Sequence, residues 1–216
     1  MGKFISFEGI EGCGKSTQIK LAGDYLKRRR IPSLITEEPG GSAIGRRIRK
    51  ILLNKDPDEE ICKETELLLF SASRAQHVKV VIIPALAEDT VVLCDRYYDA
   101  TIAYQGFGRG LDMDFIKILN DFSSARLKPG LTLLFDLPVE IGLKRAMDRI
   151  SRIKEDAAED RFEREDLDFH RKVKDGYLFL ARQDYKRFRI IDSSRDIETV
   201  HREVCVHLSA FIEEKR

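Results

Sequence analysis

One octapeptide near the amino terminus limits the folds open to this chain more than any other feature. Residues 9–16 read GIEGCGKS and match the pattern G-x-x-x-x-G-K-[ST] in full. An apolar run at 4–7 precedes them, and a segment of helical periodicity follows. In such a strand–loop–helix unit, backbone N–H groups curl around a phosphate and the helix N-terminus adds a positive dipole. A chance match in a glycine-rich turn is the alternative, and the flanking strand and helix argue against it.

The loop predicts a site for the phosphates of ATP. Lys15 is expected to reach the β- and γ-phosphates, and Ser16 to hold Mg²⁺. The loop alone does not separate kinases from ATP-driven switches, pumps or GTPases, but the guanine-reading pattern N-K-x-D is absent from the sequence. The predicted phosphate-binding residues are Gly9, Ile10, Glu11, Gly12, Cys13, Gly14, Lys15, Ser16 and Thr17.

The rest of the chain alternates short apolar runs with longer segments of helical period, a pattern typical of a parallel α/β sheet. The runs 91–94 and 131–135 are apolar on both faces, as expected of strands that helices cover on both sides. The predicted strands are 3–8, 32–36, 90–94, 131–136 and 188–191. The predicted helices are 16–30, 42–53, 60–87, 112–122, 138–149, 163–185 and 196–214. We therefore predict a P-loop NTPase-type three-layer fold with a five-stranded parallel sheet flanked by helices.

Size and charge restrict the function classes. With 216 residues, 43% of them hydrophobic, residues 1–216 are expected to form a single domain. The net charge of +1 argues against a general nucleic-acid binder. The four cysteines are far apart and form no C-x-x-C, which disfavours a zinc site or a disulfide framework. No apolar run approaches about 18 residues, so we expect no membrane span and a cytoplasmic location.

Charged residues follow two of the predicted strands. Asp95 and Arg96 come directly after a buried run, at the sheet edge where ligands bind in open α/β folds. A carboxylate there can order Mg²⁺ and its waters, and the arginine can grip a phosphate. The alternative is a capping Asp beside a solvated Arg. Asp136 ends another strand, but Pro138 after it favours a helix cap over a catalytic role.

The segment at about 149–163 departs from the α/β pattern. It is dense in charge of both signs and poor in apolar residues, so we expect a short mobile lid there. The alternative is a solvated charge run with no role in catalysis.

Five segments together resemble bacterial thymidylate kinase, a P-loop nucleoside monophosphate kinase family. They are residues 9–17, TEEPGG at 36–41, LLFSASRAQH at 68–77, DRY at 95–97 with AYQG at 103–106, and DRFE at 160–163. The resemblance runs from about residue 3 to about residue 185. It implies Mg²⁺-dependent transfer of the γ-phosphoryl of ATP to dTMP, in the pathway to dTTP, by a homodimer.

The resemblance also implies roles for individual residues. Phe70 would stack on thymine and Arg74, on the same helix face, would hydrogen-bond a base carbonyl; a core aromatic beside a surface arginine is the alternative. The catalytic residues implied are Lys15, Arg96, Asp95 and Arg149, with Ser16 and Asp95 at the metal. In addition to Phe70 and Arg74, the resemblance implies that Glu38 and Pro39 bind dTMP. Arg49 and Arg96 would bind its phosphate, and Thr101 and Gln105 would face the edge of the base. Tyr104 would pack against the sugar, and Glu11 would accept a hydrogen bond from the 3′-OH.

Bacterial members lack an arginine in the phosphate loop and supply it from the lid. Arg149 is our first candidate, with Arg152, Lys154 and Arg161 as alternatives. Two departures from the family stand out. Position 37 is Glu where many relatives have Arg, and the predicted lid is longer and more acidic than usual.

Two other functions fit the phosphate loop. One is a kinase for a different nucleoside monophosphate or for a deoxynucleoside, which would need a base for its hydroxyl acceptor. The other is a binding protein that hydrolyses ATP to change partners.

Overall fold

The computed structural model describes residues 2–54, 59–152 and 161–214. Within these ranges one sheet contains five strands in the order β2-β3-β1-β4-β5, and every neighbouring pair is parallel. The strands are β1 (Phe4–Glu8), β2 (Ser33–Glu37), β3 (Val91–Asp95), β4 (Leu131–Asp136) and β5 (Phe188–Asp192). The predicted five-stranded parallel sheet is confirmed, and no strand end differs from its predicted position by more than one residue.

Helices connect the strands and cover both faces of the sheet. They are α1 (Lys15–Arg28), α2 (Ala43–Leu53), α3 (Lys63–His77), α4 (Ile83–Ala87), α5 (Tyr98–Thr101), α6 (Met113–Ser123), α7 (Val139–Ile150), α8 (Leu167–Gln183) and α9 (Ile197–Glu213). Two π-helical stretches, Val78–Ile82 and Ile102–Gly108, extend α3 into α4 and follow α5. No helix in the described ranges is long and apolar enough to cross a membrane.

The central strand β1 shows why the fold has three layers, with helices on both faces of the sheet. All five of its residues are buried. Ile5 and Phe7 join a cluster with α1, α8 and α9, whereas Phe4 joins a second cluster with Val92 and Tyr97. Since successive strand residues point to opposite faces, both faces must be covered for such a run to be buried.

Several helix boundaries differ from the predicted ones for identifiable reasons. The helix predicted at 163–185 begins at Leu167, because the Asp166 side chain accepts a hydrogen bond from the Phe169 N–H at 2.7 Å and caps the helix there. The helical stretch at 98–108 was not predicted, since Gly106 and Gly108 obscure its periodicity. Ser42 caps α2 as predicted, with its hydroxyl 3.0 Å from the Gly45 N–H.

The prediction that Asp136 is a helix cap is wrong. Helix α7 begins at Val139, and Pro138 precedes it without a side-chain capping bond. Asp136 is the last residue of β4, and its Oδ1 lies 2.8 Å from Lys174 Nζ on α8. The carboxylate therefore ties the strand end to a neighbouring helix.

Candidate active site

A cavity of about 560 Å³ lies at the carboxyl edge of the sheet, a size typical of small-molecule sites. It is bordered by the loop after β1 and by the ends of β2 and β3. The predicted site residues that line it are Glu11, Gly12, Cys13, Gly14, Lys15, Ser16, Thr17, Glu38, Pro39, Arg49, Phe70, Arg74, Asp95, Arg96, Thr101, Tyr104, Gln105 and Arg149. Gly9 and Ile10 are the exceptions, and their carbonyl groups accept hydrogen bonds from Lys15.

The phosphate loop has the curled backbone that its motif predicts. Gly9, Gly12 and Gly14 all have positive φ, at 140°, 66° and 88°. Lys15 is buried, and its Nζ donates to the Gly9 carbonyl at 2.9 Å and to the Ile10 carbonyl at 3.0 Å. Two backbone carbonyl groups of the loop therefore fix the position of the ammonium group.

Position 12 requires glycine for a second reason besides its φ. A Cβ there would lie 2.0 Å from the carbonyl oxygen of Gly142 on α7. The loop therefore packs directly against the backbone of α7, the helix that carries Arg145 and Arg149 to the cavity.

Two oxygen ligands suited to a magnesium ion meet beside Lys15. The Ser16 hydroxyl donates to Asp95 Oδ2 at 3.0 Å, which joins the start of α1 to the end of β3. A hydroxyl and a carboxylate are hard oxygen donors, and Mg²⁺ commonly uses only one or two protein ligands besides waters and phosphates. No group of three or more His, Cys, Asp or Glu in the described ranges could hold a metal by itself. The residues present thus fit Mg²⁺.

Arg96 lies between the phosphate loop and Tyr104, whose ring centroid is 4.8 Å from the guanidinium carbon. Its backbone adopts φ 66°, a left-handed conformation that costs energy for a non-glycine residue and is enriched at functional sites. Its Nη1 donates to the Gly9 carbonyl and to the Tyr177 hydroxyl, both at 3.0 Å, and its Nη2 donates to Glu11 Oε1 at 2.9 Å. The guanidinium is therefore fixed before any anion binds.

Glu11 is an ionised carboxylate in a buried position. Arg96 and the Tyr104 hydroxyl donate to its Oε1, and His170 Nδ1 lies 3.2 Å from its Oε2. Burial by itself would raise the pKa of this carboxyl group, but the nearby His170 ring and the charges of Arg96 and Lys15 outweigh it and lower the pKa to about 2. Glu11 can therefore accept a hydrogen bond from a ligand hydroxyl at neutral pH.

The far end of the cavity contains Phe70 and Arg74 on one face of α3. Arg74 is buried, and Nε donates to Glu38 Oε2 at 2.8 Å, Nη1 to Asn120 Oδ1 at 2.8 Å and Nη2 to Thr101 Oγ1 at 2.7 Å. The alternative of a surface arginine is therefore wrong. Glu38 also lies 3.0 Å from His77 Nδ1, so its two carboxylate oxygens both support neighbouring side chains.

Phe162 forms a second aromatic wall at this end. Its ring centroid lies 6.1 Å from that of Phe70 and 5.5 Å from that of Tyr104, which it meets edge to face. It is 7% exposed and lines the cavity. Phe70, Tyr104 and Phe162 thus form a continuous aromatic part of the cavity wall.

The residues predicted to form the lid fall on both sides of a gap in the described ranges. Residues 153–160, with Lys154 and the acidic residues of the predicted lid, lie outside those ranges. Arg149 lines the cavity, and its Nη2 donates to Glu163 Oε1 at 3.1 Å. Arg161 instead donates to the Leu52 carbonyl at 2.5 Å and to Glu66 Oε2 at 2.7 Å, and it does not line the cavity.

Comparison with known proteins decides the family. A model of the thymidylate kinase family matches residues 7–204. The chain belongs to the thymidylate kinase family. It is 59% identical to thymidylate kinase of Syntrophus aciditrophicus over 96% of this chain and 94% of that protein. The chain is 54% identical to the enzyme of Geotalea daltonii and 50% identical to that of Geobacter sulfurreducens, each over 92% of both chains. Thymidylate kinases are nucleoside monophosphate kinases, so this chain is a phosphotransferase.

Some residues of this thymidylate kinase site were missed in the sequence. Phe162 stands in the family string DRFE, and that string could have indicated its place. Glu66 lies four residues before Phe70, a spacing that puts it on the same face of α3. His170 and Tyr177, both buried on α8, had no local signal because only the packing of α8 brings them to Glu11 and Arg96.

Proposed function

We propose that this member of the thymidylate kinase family transfers the γ-phosphoryl of ATP to dTMP, giving dTDP and ADP, through the cavity described above. The observation that carries the proposal is the arrangement of the cavity. Lys15 with the Ser16–Asp95 pair lies at one end, Phe70 with Arg74 at the other, and Arg96 lies between them. We infer that this cavity binds two nucleotides with their phosphates facing each other.

The donor end binds the ATP phosphates. The backbone N–H groups of residues 9–17 hold the β-phosphate, and Lys15 contacts the β- and γ-phosphates. Ser16 and Asp95 would hold Mg²⁺, which supplies neutralisation of the charge on the phosphate oxygens when bound.

The acceptor end binds dTMP. Phe70 stacks on thymine, and Arg74, fixed by Glu38 and Thr101, donates from its remaining N–H groups to a base carbonyl. Tyr104 packs against the sugar where a ribose would carry its 2′-hydroxyl, and Glu11 accepts from the 3′-hydroxyl. Arg49 and Arg96 hold the phosphate, with planar guanidiniums suited to bidentate contacts. Pro39 and Gln105 complete the wall of this end of the cavity.

The reaction needs no general base, because the attacking phosphate oxygen is already anionic at neutral pH. Catalysis then consists of positioning and charge neutralisation along an in-line path. Lys15, Arg96 and Arg149 are the charges that this chain supplies. Arg149 is the preferred lid arginine, since it lines the cavity while Arg161 is held by Glu66.

The catalytic unit is proposed to be a single domain that acts as a homodimer in the cytoplasm. Residues Phe115, Ile118 and Phe122 are each more than half exposed and follow one face of α6, which suits a subunit contact away from the phosphate loop. All four cysteines are free thiols, in keeping with a reducing compartment.

An acceptor panel tests the proposal directly. With ATP and Mg²⁺, ADP release is measured for dTMP, dUMP, dCMP, dGMP, UMP and thymidine. We expect dTMP to be preferred and dUMP to be the next best acceptor. A clear preference for another acceptor would contradict the assignment of Phe70 and Arg74 to thymine. ATP hydrolysis that dTMP does not affect would instead favour an ATP-driven switch protein.

A further inference from the structure

A buried carboxylate lies behind the base end of the cavity and has no part in the function proposed above. Glu66 is 1% exposed and stands one turn before Phe70 on α3. Burial of a charged group is strongly unfavourable unless the group is paired and hydrogen-bonded. The position of Glu66 therefore depends on the partners that surround it.

Three side chains donate to Glu66. Arg161 Nη2 lies 2.7 Å and Arg109 Nη2 3.2 Å from its Oε2, and Arg109 Nε lies 3.3 Å from its Oε1. These two guanidiniums compensate its charge. Gln105 Nε2 donates to Oε1 at 2.7 Å, and of the three partners Gln105 is the one that lines the cavity.

The contact between Glu66 and Gln105 sets the direction of an amide. The two ends of a glutamine amide differ only in that one donates and the other accepts, so the surrounding hydrogen bonds decide which way it faces. A carboxylate paired with two guanidiniums accepts and does not donate. The NH₂ end of Gln105 must therefore face Glu66, which leaves the carbonyl oxygen as the end available to a ligand.

We propose that Glu66 is a positioning residue that fixes the amide of Gln105 and thereby makes the pocket select bases with an N3–H donor. Thymine and uracil present a carbonyl next to N3–H, which matches the donor Arg74 beside the acceptor Gln105. Cytosine presents an amino group next to an unprotonated N3 and opposes both. The inference rests on the proposed function and adds a source for its base specificity.

The substitution Glu66→Gln tests this inference. A glutamine at 66 has a donor end, so the amide of Gln105 is free to reverse. We expect the ratio of kcat/KM for dTMP to that for dCMP to fall by about five- to tenfold, the effect of one hydrogen bond between neutral groups. The ratio for dTMP to dUMP should stay unchanged, because the two bases share the same hydrogen-bonding edge.

Glu165→Gln is the matched control. Glu165 Oε1 accepts from Arg109 Nη2 at 2.6 Å, so this variant also removes a charge that holds Arg109. It makes no contact with Gln105 in the described structure, and we expect both ratios to be retained. An unchanged dTMP-to-dCMP ratio in Glu66→Gln, or an equal fall in Glu165→Gln, would overturn the inference.

A second variant serves if Glu66→Gln does not fold. Gln105→Met keeps the length of the side chain and leaves Glu66 with both arginines, but it removes the acceptor. It should lose the same preference for dTMP over dCMP while its thermal unfolding stays close to that of the wild type. A retained preference would overturn the inference. Wild-type protein without activity on dTMP would instead refute the proposed function itself.

Discussion

Glu37 holds Arg49 at the mouth of the cavity, with Glu37 Oε2 3.3 Å from Arg49 Nη1. The same Nη1 donates to the Pro39 carbonyl at 2.8 Å. Arg49 is the residue proposed to bind the phosphate of dTMP, so a carboxylate of the protein competes with the ligand for one guanidinium. The Glu37 side chain is 51% exposed, and solvent therefore weakens this pair.

Glu37→Gln should strengthen dTMP binding. Without the competing carboxylate, we expect the KM for dTMP to fall about two- to fivefold at low salt, the range of a solvent-exposed ion pair. The difference should shrink as ionic strength rises, because exposed charges are screened. Steady-state kinetics at several salt concentrations measures both effects. Glu88→Gln, an exposed site just before β3 and so at the opposite edge of the sheet, is the control and should not change the KM.

Lys15→Ala should abolish most of the turnover. The Lys15 ammonium is held by the carbonyl groups of Gly9 and Ile10 and lines the cavity, where we propose that it stabilises the charge that develops during transfer. Loss of such a preorganised charge lowers kcat by about a hundredfold or more. ADP release reports kcat, and thermal unfolding checks that the fold is retained. Lys20→Ala, at an exposed position on the same helix, should remain active; comparable turnover in both variants would remove Lys15 from the mechanism.

Arg149→Ala should lower kcat with little change in the KM for dTMP. Its side chain is 57% exposed on α7 and lines the cavity, where we propose that its charge stabilises the transferring phosphoryl group. We expect a fall of about tenfold or more. Arg152→Ala removes an exposed cation three residues further on and serves as the comparison. A larger loss in Arg152→Ala would transfer the role to that residue.

Glu8→Gln should change how stability depends on pH. Burial, with the nearby charge of Asp99, raises the pKa of Glu8 to about 8 in the folded protein. Between the usual value of 4.5 and about 8, the folded state keeps a proton that the unfolded state releases. Stability from this group is therefore present below pH 4.5 and is lost as pH rises toward 8, by at most about 1.4 kcal/mol per pH unit.

Thermal unfolding of both proteins from pH 5 to pH 8 measures this effect. The neutral amide in Glu8→Gln resembles the protonated acid, which accepts from the Tyr97 N–H at 2.7 Å and contacts the Tyr177 hydroxyl at 2.9 Å. The Tm of the wild type minus that of the variant should decrease as pH rises, because only the wild type loses stability by this ionisation. A difference between the two Tm values that stays constant over this range would contradict the assigned pKa shift.

Phe122→Asp should dissociate the proposed homodimer. Phe122 is 80% exposed on the apolar face of α6, so a charge there would be buried without a partner in a subunit contact. Sedimentation should give twice the chain mass of 24.8 kDa for the wild type and the mass of one chain for the variant. Val206→Asp, at a site 65% exposed on α9, is the control and should stay dimeric. A monomeric wild type would refute the proposal.

Local patterns in the sequence were sufficient for the sheet and the phosphate loop, whereas most of the other predicted residues that line the cavity came from the resemblance to a known family. The sheet and the loop depend on local patterns: an apolar run predicts a buried strand, and glycines at 9, 12 and 14 allow the curled loop. The spacing of Phe70 and Arg74 places them on one helix face whatever the rest of the chain does. Such relations are settled within one or two helical turns.

Only the tertiary structure decided which side chains meet across elements. Nothing near Asp136 in the chain indicates that it pairs with Lys174, and nothing near Glu66 indicates that it holds Gln105 and Arg161. The same is true of His170 and Glu11, which are 159 residues apart in the chain. Hydrogen bonds and ion pairs act over a few ångströms, so their partners follow from how α3, α8 and the helical stretch at 98–108 pack together on the sheet.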